Sequence, residues 1–209
     1  NKIPYKLLLV LIGALLFIPF LGNAPLFDWD EINFAESARE MLVSGNYLQV
    51  QIDYQAFAEK PPFFIWLQVV SMKFFGVNEF AARLPNALIG IVTMLTLLAI
   101  GKRIKDKHFG ALWALVYVSC FLPHFYFKSA LIDPLFNLFI FTGIYFASKI
   151  TENDEFTAKK QRIKIRNKAV FYAGLFIGLA VLTKGPVGLL LFSLTYLMLF
   201  VLSRFKRLN

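Results

Sequence analysis

The chain holds one cysteine, Cys120, and it lies inside an apolar run, so no disulfide framework can form within it. Charge is scarce. Asp, Glu, Lys and Arg make up 17% of the 209 residues, where a soluble domain carries about a quarter. Acids are scarcer than bases, 13 against 22. No zinc-ligand spacing, G-x-S-x-G elbow, P-loop or dinucleotide-type glycine run occurs, and no internal repeat is evident. These absences exclude a disulfide scaffold and a soluble globular enzyme. Hydrophobic residues are abundant, 58% of the chain with 24 Phe, which excludes a disordered chain as well.

The apolar residues fall in runs: Leu7 to Leu21, Leu84 to Gly101, Phe109 to Phe127, Ala130 to Ile150, Ala169 to Thr183 and Pro186 to Leu202. A spanning helix needs about 20 such residues, so the pattern predicts an all-α polytopic membrane bundle of about six transmembrane helices. The first run follows Lys2 and Lys6 and lacks a small-x-small cleavage site, so it reads as an anchor and not as a signal peptide. The last two runs are short and meet at Thr183-Lys184-Gly185-Pro186. A two-span hairpin and a re-entrant pair both fit that pattern. The chain starts with Asn1 and stops just after an apolar run. It is expected to be a single membrane module over 1–209 and the N-terminal part of something longer.

Charge placement orients the bundle. Lys2, Lys6, the Lys102–Lys107 cluster, Lys149, the Lys159–Lys168 run and the Arg204–Arg207 cluster hold sixteen of the 22 basic residues, all on one side of the expected spans. Nine of the 13 acids lie on the other side. The net +9 thus divides into +12 and −3. Because Lys and Arg are retained in cytoplasmic loops, the N-terminus is expected in the cytoplasm of a bacterial inner membrane, with the acidic side periplasmic. The cations are spread over short loops beside spans, so nucleic acid is a poor partner for them. The low-hydropathy segment 151–168 reads as a cytoplasmic linker able to touch anionic lipid.

The outer loop, residues 22–83, is the one sizeable polar segment on the far side. Glu31 to Ser44 reads as a helix with Ile32, Ala35, Ala38 and Leu42 on its apolar face, stopped by Gly45-Asn46. Pro61 to Gly76 is apolar, aromatic and too short to span comfortably. With Trp66 and Lys73 it reads as a helix lying in the membrane interface. The loop is thus expected to be two interfacial helices.

Three outer positions carry candidate chemistry. In Asp28-Trp29-Asp30-Glu31 the three carboxylates repel unless a cation or donor compensates. Such a cluster suits a general base or a divalent-metal site built from Asp28, Asp30 and Glu31, while Asp30 alone also suits a helix N-cap. Lys60, in Glu59-Lys60-Pro61-Pro62, stands before a helix start, where a phosphate is favoured. It also suits a lysine reaching the headgroups. Asp133-Pro134 and Lys184 sit at outer ends of spans, where an ionisable group is a functional candidate, although Asp133 also fits a helix cap beside Pro134. Arg83 and Lys128 sit at outer helix ends, as anchors do. His124, in an aromatic run, reads as packed, and His108 has no assigned role. Acids and lysines on one face suit a phosphorylated lipid, with lysines on its phosphate and a carboxylate doing the chemistry.

Asp30-Glu31-Ile32-Asn33-Phe34-Ala35-Glu36-Ser37-Ala38-Arg39-Glu40-Met41, then Ser44-Gly45-Asn46-Tyr47, then Glu59-Lys60-Pro61-Pro62 resembles the first outer loop of the polytopic GT-C glycosyltransferases. The resemblance is closest to the group of lipid A aminoarabinose transferases and protein O-mannosyltransferases. It runs from the first span to about Ile150 and more weakly to Thr183-Lys184-Gly185. It implies inverting transfer of a sugar from a polyprenyl-phosphate donor to a lipid, glycan or protein acceptor on the periplasmic or lumenal side. By the same resemblance Asp30 matches the general base and Glu31 its ordering neighbour, beside a divalent metal if one is used. Lys60 matches the donor-phosphate lysine, and Asp133, Lys184 and Arg83 stand as further substrate-binding positions. Members of the family are longer, and further substrate contacts lie in the part not matched here.

Two other functions fit the composition. A non-catalytic subunit of the same fold would scaffold an envelope complex. A transporter of anionic lipid would gather its polar groups near the midplane on broken helices, whereas these sit at one face.

Overall fold

A computed structural model describes residues 4–151 and 159–208 of the chain, and 76% of it is helical. Lys2 and residues 152–158 of the expected linker lie outside the described residues. The chain forms two compact units, Asn1–Leu135 and Phe136–Asn209.

In the first unit the element order is α1 (Tyr5–Phe17), α2 (Asp30–Ser44), a hairpin of β1 (Gln51–Ile52) and β2 (Gln55–Ala56), α3 (Phe63–Phe75), α4 (Glu79–Ile104), α5 (Lys107–Ser119) and α6 (Phe121–Phe127). The long α4 is the spine: α1, α3, α5 and α6 all pack on it, and α2 packs on α3. Asn78 caps α4 by accepting the Ala81 N–H at 2.9 Å. Asp106 caps α5 through the N–H groups of His108 and Phe109, and the Phe109 bond foremost holds its carboxyl below the usual range. The largest fully buried side chains are the rings of Phe17, Phe34, Phe64 and Phe127. Phe17 and Phe127 meet with ring centroids 5.1 Å apart over Gly90, where a Cβ would come within 2.8 Å of either ring. Phe34 and Phe64 join α2 to α3 edge to face.

The second unit holds the rest of α7 (Asp133–Thr151) with α8 (Lys159–Lys184) and α9 (Val187–Leu208). Phe146 stacks on Phe176 and touches Tyr172. Thr183-Lys184-Gly185-Pro186 is the turn of an α8–α9 hairpin. Gly185 there takes φ 75° and its N–H closes on Val181 O at 2.7 Å, a left-handed helix stop open to glycine.

The sequence pattern and the structure differ in four places. The first apolar run reaches Leu21, but α1 ends at Phe17 after 13 residues: Ile18 is still helical, with its N–H on Ala14 O, but Pro19 has no N–H to carry the helix on and Phe20 turns left-handed at φ 65°. At 1.5 Å per residue α1 is about 20 Å long, short of a hydrocarbon core about 30 Å thick. The expected third span is broken at Cys120 into α5 and α6, which meet at 80°. Of the 151–168 segment, Thr151 ends α7 and Lys159 begins α8, which runs unbroken to Lys184. The hairpin gave no sequence signal, since its two-residue turn is Asp53-Tyr54, both left-handed at φ 54° and 58°, where Asn-Gly or Asp-Gly is the usual mark. Among the described residues, α4 and the Ile165–Lys184 part of α8 are long and apolar enough to cross a membrane, with mean hydropathies of 1.9 and 1.4. The bent α5–α6 pair is a third if it counts as one span. The chain is an integral membrane protein of the all-α class.

At the α4–α5 crossing, Gly101 and Gly110 bring the two backbones together. A Cβ on Gly110 would lie 2.6 Å from Leu98 O and 3.0 Å from Lys102 N. Backbone cannot step aside as a side chain can. Gly110→Val is therefore expected to cost about 1–3 kcal/mol, the range for overpacking, read as a lowered thermal unfolding midpoint in detergent.

Candidate active site

The outer loop is organised by one ion pair. Arg83 projects from the first turns of α4 and is 3% exposed, and Glu31, the second residue of α2, is 1% exposed. The guanidinium meets the carboxylate in a fork, Nε to Oε1 at 3.1 Å and Nη2 to Oε2 at 2.8 Å. Its other N–H groups donate to Leu21 O, Ala24 O and Pro25 O, each at 2.8 Å. All five donors of the arginine are thereby used. The carboxylate also accepts the N–H of Phe27 at 2.8 Å and that of Ala130. The Phe27 ring covers the guanidinium at 5.8 Å.

This geometry changes the reading of the acidic cluster. The cation that compensates Glu31 is Arg83, buried with it. Arg83, expected among the substrate-binding positions, has all its donors taken up within the protein in this arrangement. Glu31 faces inward. A three-acid metal site of Asp28, Asp30 and Glu31 is not assembled, and no group of three His, Cys, Asp or Glu gathers for a metal among the described residues. The pair also sets the face of α2. Phe34, Ala38 and Met41 are buried with Glu31, while Ile32, expected inside, is 41% exposed.

Asp30 is the first residue of α2 and does not cap it. The N-cap position is Trp29, at φ 73°, ψ −93° and with no side-chain cap bond. Asp30 is half-exposed and Asp28 exposed, and neither carboxylate has a partner among the described residues. Further along α2, Glu36 and Arg39 form a surface pair. The Arg39 hydrogen bond, foremost, holds the Glu36 carboxyl below its usual value and raises the guanidinium in turn. Glu40, fully buried, accepts the N–H of Tyr54 at 3.0 Å and so ties the hairpin turn to α2.

Lys60 is half-buried between the hairpin and α3, two residues before the Pro62 N-cap, and makes no hydrogen bond or ion pair among the described residues. Asp133 is half-buried at the first residue of α7, with Pro134 in the first turn. In the second unit Lys184 ends α8 with its ammonium 5.6 Å from the centre of the Phe136 ring. His124 packs on Phe17. Lys128 donates to Pro19 O at 3.0 Å.

Two residues went unassigned in the sequence. His108 Nδ1 pairs with the Tyr5 hydroxyl at 2.7 Å, joining the starts of α5 and α1. Asn86 is fully buried and its amide donates to Ser129 O at 2.6 Å and Leu131 O at 2.7 Å. The available signal was its spacing: Asn86 stands one turn after Arg83 in an apolar helix, so the two polar groups share a face.

Comparison with known proteins follows the same lines. The model of the dolichyl-phosphate-mannose-protein mannosyltransferase family matches residues 59–208. An undecaprenyl phosphate-alpha-4-amino-4-deoxy-L-arabinose arabinosyl transferase of Shewanella sediminis is 29% identical over 91% of this chain and 34% of its own length. One of Proteus mirabilis is 32% identical over 97% of this chain and 36% of its own. The chain therefore spans about a third of these relatives. The crystal structure of ArnT from Cupriavidus metallidurans bound to undecaprenyl phosphate has the same fold, with a TM-score of 0.84 at 24% identity over 96% of this chain and 36% of that one.

Replacing Arg83 by Met strands a buried carboxylate and is expected to cost about 3–5 kcal/mol. Arg83→Met with Glu31→Gln removes both charges and is expected to recover part of that loss. Thermal unfolding of the three proteins in one detergent checks both expectations.

Proposed function

The chain belongs to the dolichyl-phosphate-mannose-protein mannosyltransferase family, and on that footing we propose that it is the base-bearing part of a membrane glycosyltransferase. In this reading a sugar passes from a polyprenyl-phosphate donor to an acceptor at the outer face, with inversion. The acceptor oxygen attacks the anomeric carbon and gives its proton to Asp30. The bond from that carbon to the phosphate oxygen breaks, and the phosphate leaves with the electron pair. Lys60 holds the phosphate and stabilises its growing charge.

One observation carries the assignment of the base. Of the two adjacent acids, Glu31 is locked to Arg83, whereas Asp30 is half-exposed with no partner among the described residues. Glu31 and Arg83 then act as positioning residues that hold the loop. Asp133 is read as a substrate contact. Lys184 keeps its substrate role on the family resemblance alone. The relatives' names supply the substrate class, an undecaprenyl-phosphate-linked aminoarabinose.

Charge asymmetry supports about six crossings of a bacterial inner membrane, with the N-terminus cytoplasmic and the loop periplasmic. In that topology α3 lies in the interface. Its outward face carries Val70, Phe74 and Phe75, all more than half exposed, as lipid contact requires.

Asp30→Asn is expected to lower transfer from undecaprenyl phosphate-α-4-amino-4-deoxy-L-arabinose by about 10²–10⁴-fold while thermal unfolding is unchanged. Lys60→Ala is expected to weaken donor binding, read as a raised KM. Full transfer by Asp30→Asn would remove Asp30 as the base. Envelope phenotypes untouched by either variant, but lost when a span is deleted, would favour the non-catalytic scaffold.

A further inference from the structure

We propose that Asn86 is a positioning residue for Asp133, acting through the backbone of Ser129–Leu131. The proposal rests on the reading of Asp133 as a substrate contact. The segment between α6 and α7 has three consecutive residues pinned to other elements. Asn86 on α4 donates to the carbonyls of Ser129 and Leu131 at 2.6 and 2.7 Å. Between them, the Ala130 N–H donates to Glu31 on α2. Two residues on, the chain reaches Asp133, where α7 begins. Asn86 and Arg83 thus hold the two loops that carry Asp133 and Asp30 from one face of one helix. Glu31 belongs to both holds, so the two acids share one frame.

The amide also carries a cost that plain packing does not explain. Asn86 is fully buried and its Oδ1 has no hydrogen-bond partner among the described residues. Burying an unpaired acceptor is unfavourable, and leucine would fill a similar volume in this apolar helix without it. Only a side chain with two donors on one nitrogen reaches both carbonyls at once. A buried polar group kept at a loss is accounted for when it fixes a geometry that packing alone leaves loose.

The test uses the protein in lipid nanodiscs, with hydrogen exchange at the backbone amides of Ala130–Asp133. Asn86→Leu is expected to speed their exchange at least tenfold while exchange in α4 is unchanged. Asn86→Ser, which keeps one donor, is expected to fall between and serves if the leucine variant fails to fold. Transfer from undecaprenyl phosphate-α-4-amino-4-deoxy-L-arabinose to lipid A gives the second readout. Asn86→Leu is expected to lower kcat/KM at least tenfold, and the Asn86→Leu, Asp133→Asn double variant to be no worse than Asp133→Asn alone. Exchange unchanged in both Asn86 variants, or losses that multiply in the double variant, would overturn the proposal. If Asp133→Asn transfers normally, the substrate reading of Asp133 fails by itself, and the exchange data still decide whether Asn86 holds the loop.

Discussion

The loop-bearing half of the first unit depends on the buried pair of Glu31 and Arg83. A desolvated charge is tolerated only with full compensation, and here the compensation is complete for the arginine, whose five N–H groups all donate to the protein. The three loop carbonyls it collects lie between α1 and α2, in a stretch with no helix or strand of its own. The pair therefore builds the loop, and the loop's position is inherited from α4, the helix on which most of the unit packs.

The same pair separates roles within the acidic cluster. Side chains of consecutive helical residues point about 100° apart, so the chain can bury one acid and present the other. Glu31 goes inward to Arg83. Asp30, one residue earlier, stays half-exposed. This division is what makes a single base a sensible reading where a triple carboxylate seemed suited to a metal. The cost falls on Trp29, which is held at a positive φ just before the helix and so carries strain of the kind that gathers at working sites.

Much of the frame was legible in residue order. The α2 and α3 helices and the stop at Gly45 followed from periodicity, glycine and proline. Asp30 stood out because three carboxylates crowd into four residues, and Lys60 because it stands before a helix start. The reading failed where contacts across the chain decide. Ile32 was placed inside because it fits an apolar stripe, but the buried Glu31 turns α2 by one residue. Arg83 looked like a surface anchor, since nothing local shows that its partner lies 52 residues away. The apolar run through Cys120 looked continuous, yet it bends by 80°, and mean hydropathy carries no record of direction.

By itself the sequence determined the class: an all-α membrane chain, because runs of apolar residues in a charge-poor chain have only helices to satisfy their backbone in lipid. It also supplied the charge split of +12 and −3 on which the proposed sidedness rests. Which acid is free and which is structural was decided only by the tertiary structure. That choice depends on where a guanidinium from a distant helix arrives, and the energy of a buried charge is set by its neighbours in space.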